Sequence, residues 1–168
     1  MDKYPKSEEP TETVGGSEGQ ACAALAHEFS NLESIVQDFQ PVVNQRKSRV
    51  PADVAGRIMF MAHDFLTEQP VRNADVYLLR QILHNWSDKY YIRILRHLVT
   101  ALKTAAKIVV NDNVSTDLTM KVLQNPHERG LDDWKNLFKT ADPRFSFQEA
   151  KQPAGSTLWI MTVQWEGQ

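Results

Sequence analysis

Residues 74–103 read ADVYLLRQILHNWSDKYYIRILRHLVTALK, and two periodicities meet inside them. Asp75 to Leu83 is a near-continuous apolar run, the pattern of a strand buried on both faces of a parallel sheet. From Ser87 the period changes: Tyr91, Leu95, Leu98 and Leu102 recur at i, i+4, i+7 and i+11, which predicts a helix over Ser87–Lys103 with Ser87 as its N-cap. Between the two sits His84, in a short polar link. A strand feeding an amphipathic helix through such a link is one unit of an α/β fold.

Working outward, the unit repeats. Ser34–Gln37 is a β-branched run ending at Asp38. Arg57–Ala62 ends at His63 and Asp64, Lys107–Val110 is a further strand, and Thr157–Val163 closes the chain. Helical spacing appears at Gln20–Phe29 and Leu131–Thr140. Alternation of this kind predicts an open, Rossmann-like α/β sheet with helices on both faces. Residues 1–12 (MDKYPKSEEPTE) lack periodicity and read as a disordered tail, with one domain over 13–168. Asn44–Asp53 reads as a surface loop and Gln152–Ser156 as a turn.

Composition narrows the function. The 168 residues carry 19 Lys+Arg and 21 Asp+Glu, a formal charge of −2, which gives no field for nucleic acid or anionic membrane. One cysteine, Cys22, excludes an internal disulfide and a cysteine-built zinc site. No apolar run approaches a membrane span and the first ten residues are charged, so a soluble, cytoplasmic protein is expected.

Three features point to a ligand. Gly15, Gly16 and Gly19 precede the first helix, where glycine permits a tight turn or close approach of a ligand to the main chain. The spacing is not the dinucleotide fingerprint, which weakens a pyrophosphate reading. Asp38 and Asp64 end adjacent strands, where open α/β sheets bind ligands. Two carboxylates there suit a cationic or hydroxyl-rich ligand such as S-adenosylmethionine, or are simply solvated acids. His84 follows a strand at the same edge and is either a general base or a loop histidine packed on Trp86. His84 and Asp88 have ligand spacing, but no third metal ligand accompanies them, so no metal is expected.

The stretches VGGSEGQACAALA, SIVQD, MFMAHDF, ADVYLLRQILHNWSD, IVVND, NPHERGLDDWKNLF and TLWIMTVQW occur in family order from Val14 onward. With them the chain resembles the catalytic domain of S-adenosylmethionine-dependent O-methyltransferases of plant and fungal natural-product pathways, and most of all the fungal type. The resemblance implies a class I methyltransferase sheet and a small hydroxylated aromatic or polyketide-type substrate. It implies that Gly15 and Gly16 line the methionine part of the cofactor, Asp38 holds the ribose, and Asp64 and Phe65 flank the adenine. Arg80 takes the place of a basic residue near the cofactor. His84 matches the general base, and Asp112 and Glu128 match the acids that orient it.

The chain also departs from the family pattern. The first strand, normally a hydrophobic run, is replaced by SEEPTE, with Thr13 where an acid is expected. This predicts a degraded or missing central strand, exposed edges, and homo- or hetero-association through the exposed surfaces. Asn85 and Lys89 replace acids, and the segment between Val114 and Leu118 is short. The family's N-terminal dimerisation domain is expected to be absent. A non-catalytic remnant, or a same-fold enzyme of different reaction, is the alternative to a methyltransferase.

Overall fold

A computed structural model describes residues 11–14, 19–46, 49–114 and 129–167. Its elements are β1 (Thr11–Val14), α1 (Gln20–Glu28), β2 (Ser34–Asp38), α2 (Gln40–Arg46), β3 (Ile58–Ala62), β4 (Val76–Arg80), α3 (Asp88–Val99), β5 (Lys107–Asp112), α4 (Leu131–Ala141), β6 (Phe145–Lys151) and β7 (Trp159–Trp165). Seven strands form one sheet in the order β3-β2-β1-β4-β5-β7-β6. The first five are parallel, and at one end β7 pairs antiparallel with both β5 and β6. Chain order reverses between β1 and β4, so the crevice beyond their carboxyl ends is where such a sheet binds ligands.

The expectation of a missing first strand is corrected here. Thr11–Val14 is β1, at the centre of the sheet, with Thr13 in register with Val36 on one side and Leu78 on the other. Thr11 and Glu12 therefore belong to the sheet rather than to the tail. Parallel pairing uses backbone N–H and C=O groups that every non-proline residue carries, so a polar segment can fill the position. With β1 in place the inner edges of β2 and β4 are both paired, and the argument for association through a gap in the sheet loses its basis.

Register assigns the two faces. Val36 and Ile58 point to one side and pack with Cys22 and Ala26 of α1. Tyr77, Leu79, Ile108 and Val110 point to the other and form the larger core with Leu95 of α3, Trp134 and Phe138 of α4, and Trp165. Helices cover both faces, as the alternation predicts. Arg96 of α3 ties the two helices of the larger core, its Nε donating to Ala141 O at 3.2 Å.

Several boundaries move. The run Asp75–Leu83 is a strand only to Arg80: Gln81 turns left-handed (φ 53°) and Leu83–Asn85 form a 3-10 turn. The helix predicted over Ser87–Lys103 ends at Val99, where Ala101 N turns back to Leu98 O at 2.8 Å. Ser87 occupies the N-cap but its side chain makes no capping bond. Helix α2 extends to Arg46, into the predicted loop Asn44–Asp53. Strand β6, Phe145–Lys151, is absent from the sequence reading. The turn at Gln152–Ser156 is present, with Gly155 at φ 76° and Ser156 N donating to Pro153 O.

Candidate active site

The sheet register lines up the predicted acids. One residue beyond Val14, Asp38 pairs with Ala62 on one side of the switch point, and Arg80 pairs with Asn111 on the other. Asp112 is one position further along β5, and Asp64 lies two residues past the end of β3. The carboxyl ends of β2, β3, β4 and β5 thus share one edge, and all the described site candidates stand along it.

Asp38 and Asp64 are oriented by their own local backbone. Asp38 Oδ1 accepts from Phe39 N at 2.8 Å, and Asp64 Oδ1 from Leu66 N at 2.9 Å. Each contact leaves a partly buried carboxylate with a fixed direction at a strand end. Phe65 packs edge-on against Trp86 (centroids 5.6 Å apart) and lies tilted against Phe39 (6.5 Å). Trp86 in turn meets Tyr90 at 5.4 Å. Arg80 is exposed at the end of β4. The result is an aromatic row beside two oriented carboxylates and an exposed arginine.

His84 is paired with Asp112. Its Nδ1 lies 2.7 Å from Asp112 Oδ1, and its backbone N donates to Asp112 Oδ2 at 3.3 Å. Asp112 is fully buried, whereas the His84 side chain keeps 34% of its surface exposed. Asn113 N adds a third donor to the carboxylate at 2.8 Å. A carboxylate only accepts, so it selects the imidazole tautomer with the proton on Nδ1, which leaves Nε2 as the basic nitrogen. Trp86 meets Phe65 and Tyr90 edge to face, and the histidine is held by the acid. Asp88, the metal-ligand candidate, accepts from Arg129 instead, at 2.8 Å.

Gly15, Gly16 and Glu128 lie outside the described residues. Gly19 is described: it sits left-handed (φ 65°) at the start of α1, and a Cβ there would approach Phe60 to 3.1 Å. That glycine is needed by the turn itself. One residue the sequence reading missed is Arg129. It is 6% exposed and reaches from the start of α4 to the turn that carries His84. Nothing in its sequence spacing to His84 signals that contact. Among the described residues no cluster of three or more His, Cys, Asp or Glu could hold a metal, and no helix is long and apolar enough to cross a membrane.

An open sheet with a β1/β4 switch point and a His–Asp pair at its carboxyl edge defines a Rossmann-like α/β domain. Residues 11–143 match the model of the O-methyltransferase domain, and the chain belongs to that family. A grayanic acid biosynthesis cluster O-methyltransferase from Cladonia grayi is 40% identical over 91% of this chain and 38% of its own length. The O-methyltransferase VdtC from Byssochlamys spectabilis is 42% identical over 89% of this chain and 40% of its own. The chain thus spans about two-fifths of the length of these curated relatives. The solved structure of LepI in complex with SAM superposes with a TM-score of 0.81 at 25% identity, over 99% of this chain and 45% of LepI.

Proposed function

We propose that this domain binds S-adenosylmethionine at the carboxyl edge of the sheet and methylates a hydroxyl of a small aromatic or polyketide-type secondary metabolite, with His84 as general base. The observation that carries the proposal is the 2.7 Å pairing of His84 Nδ1 with the fully buried Asp112. The membership in the O-methyltransferase family and the biosynthetic setting of the Cladonia relative support the reaction class and the kind of substrate.

The residues present suit the cofactor. Asp38 and Asp64 are oriented carboxylates for the hydroxyls and the positive charge of the ligand, and Phe65 offers a ring for its adenine. Gly15 and Gly16 follow β1 in the chain, where the resemblance puts the methionine moiety, and Arg80 is the basic neighbour. When bound, S-adenosylmethionine supplies an electrophilic methyl group on a sulfonium.

The chain's own part is proton removal and positioning. His84 Nε2 takes the substrate O–H proton, and the imidazolium that forms is stabilised by Asp112 across Nδ1. Glu128 is the second acid proposed to orient the ring. General-base assistance of this kind contributes roughly 10²–10⁴-fold. Replacing His84 by Ala is expected to lower turnover by that factor, roughly 10²–10⁴, with affinity for S-adenosylmethionine nearly unchanged. Full turnover by the variant on a weakly acidic hydroxyl would remove His84 from the mechanism.

A further inference from the structure

We infer that Arg129 is the positioning residue for His84, its guanidinium clamping the Leu83–Asp88 turn so that the imidazole meets Asp112. This deepens the proposed reaction and rests on His84 being its base. The contacts bracket the histidine on both sides. Arg129 Nη1 donates to Leu83 O at 3.1 Å, and Nη2 to Trp86 O at 2.6 Å. Nε and Nη2 together grip Asp88 Oδ1, at 3.1 and 2.8 Å. The guanidinium adds a donor to Leu83 O, which also closes the 3-10 turn by accepting from Trp86 N at 3.2 Å, and reaches Trp86 O just past the turn's end. Asp112 fixes the turn from the sheet side, and Arg129 fixes it from the helix side.

The guanidinium is itself held in place. Its carbon lies 5.6 Å from the ring centroids of both Tyr91 and Trp134, which pack edge-on at 5.5 Å. Helix α4 begins directly after Arg129, fixed by Gly130 N donating to Asp133 Oδ2 at 2.9 Å. A planar fork with five donors reaches three acceptors along one turn, which the single point of a lysine ammonium cannot do.

The test compares Arg129→Gln and Arg129→Lys with wild type in the whole chain, using 15N-histidine NMR. The five histidines are assigned with a His84→Gln control. Wild type is expected to show a single His84 tautomer, the one with its proton on Nδ1. Both Arg129 variants are expected to show a tautomer mixture at His84, and Lys is expected not to rescue. Where turnover is measured, kcat should fall about tenfold or more while KM for S-adenosylmethionine stays within about twofold. Folded variants with the wild-type His84 spectrum and only a lower melting temperature would overturn the inference. If both variants fail to fold, Asp88→Asn decides: it loosens the exposed end of the clamp and should broaden or split the His84 signals, and an unchanged spectrum overturns the inference. A tautomer change in Arg129→Gln combined with full turnover in His84→Ala would leave the clamp standing and remove the general-base reading instead.

Discussion

Asp112 receives three donors on two oxygens while fully buried, and every one of them comes from the residue it positions or from its own chain neighbour. Removing the carboxylate therefore acts twice. Asp112→Ala leaves buried donors unpaired, at a cost of about 1–3 kcal/mol each, which denaturant unfolding would read. Asp112→Asn keeps the shape but presents an amide that can donate to Nδ1. With the amide nitrogen facing Nδ1 the favoured tautomer is reversed, and turnover is expected to fall roughly 10²-fold or more. Stability also falls, because either amide orientation sets NH2 against a backbone N–H. Asp38 has the opposite character. It is partly exposed at a strand end, so Asp38→Ala is expected to weaken S-adenosylmethionine binding by about 1.5–3 kcal/mol while the domain stays folded. Titration calorimetry beside a thermal melt separates the two outcomes. Asp38 is visible in the sequence as an acid closing an apolar run, and Asp112 through the family resemblance. The direction each carboxylate faces is not, because Phe39 N, Asn113 N and the His84 backbone set it in space.

At the scale of elements, the sequence reading succeeds wherever one face of a segment is continuously apolar. α3 shows it: Tyr91, Leu95 and Leu98 are all buried. It fails at β1 and β6, where what makes a strand is its neighbours. β1 is four residues long, polar, and held by pairing on both sides. β6 lies at the end of the sheet, with partly exposed residues and a bulge between Phe147 and Glu149. A proline at Thr13 tests the central placement, since it removes a ladder donor and bars a strand interior. Thr13→Pro is expected to cost about 1–3 kcal/mol for each partner group left unpaired, measured by urea unfolding. Trp134 of α4 is fully buried against Tyr91 and under Arg129. Trp134→Ala is expected to cost about 3–5 kcal/mol, mainly through the cavity it leaves.

Across the whole molecule, the segment after β3 is tied to α3 and to β2 at once. Gln69 and Gln37 exchange two amide hydrogen bonds, at 2.9 and 3.0 Å, in the interior, and Gln69 N reaches His97 O at 3.2 Å. His63 begins this segment. Burial holds its imidazole below the ordinary 6.5 despite the adjacent Asp64, with His97 adding to the lowering. The unfolded chain thus takes up this proton at a higher pH than the native one. Stability from this site is present above about pH 6.5 and is lost as pH falls from there toward the lowered native value. The urea midpoint is expected to be lower at about pH 5.5 than at about pH 7.5, and His63→Gln should shrink that difference. An unchanged difference in the variant would assign the pH dependence elsewhere.

The sequence alone determined the α/β class, the strand-end acids and the family, because these rest on local periodicity and on residues in fixed order along the chain. Only the tertiary structure decided that a polar tetrapeptide is the central strand, that His84 pairs with Asp112 rather than packing on Trp86, and that Arg129 grips the turn between them. Asp112 is 28 residues from His84 and Arg129 is 46 from Leu83. Contacts at such separations arise from sheet register and helix packing, which no local pattern encodes.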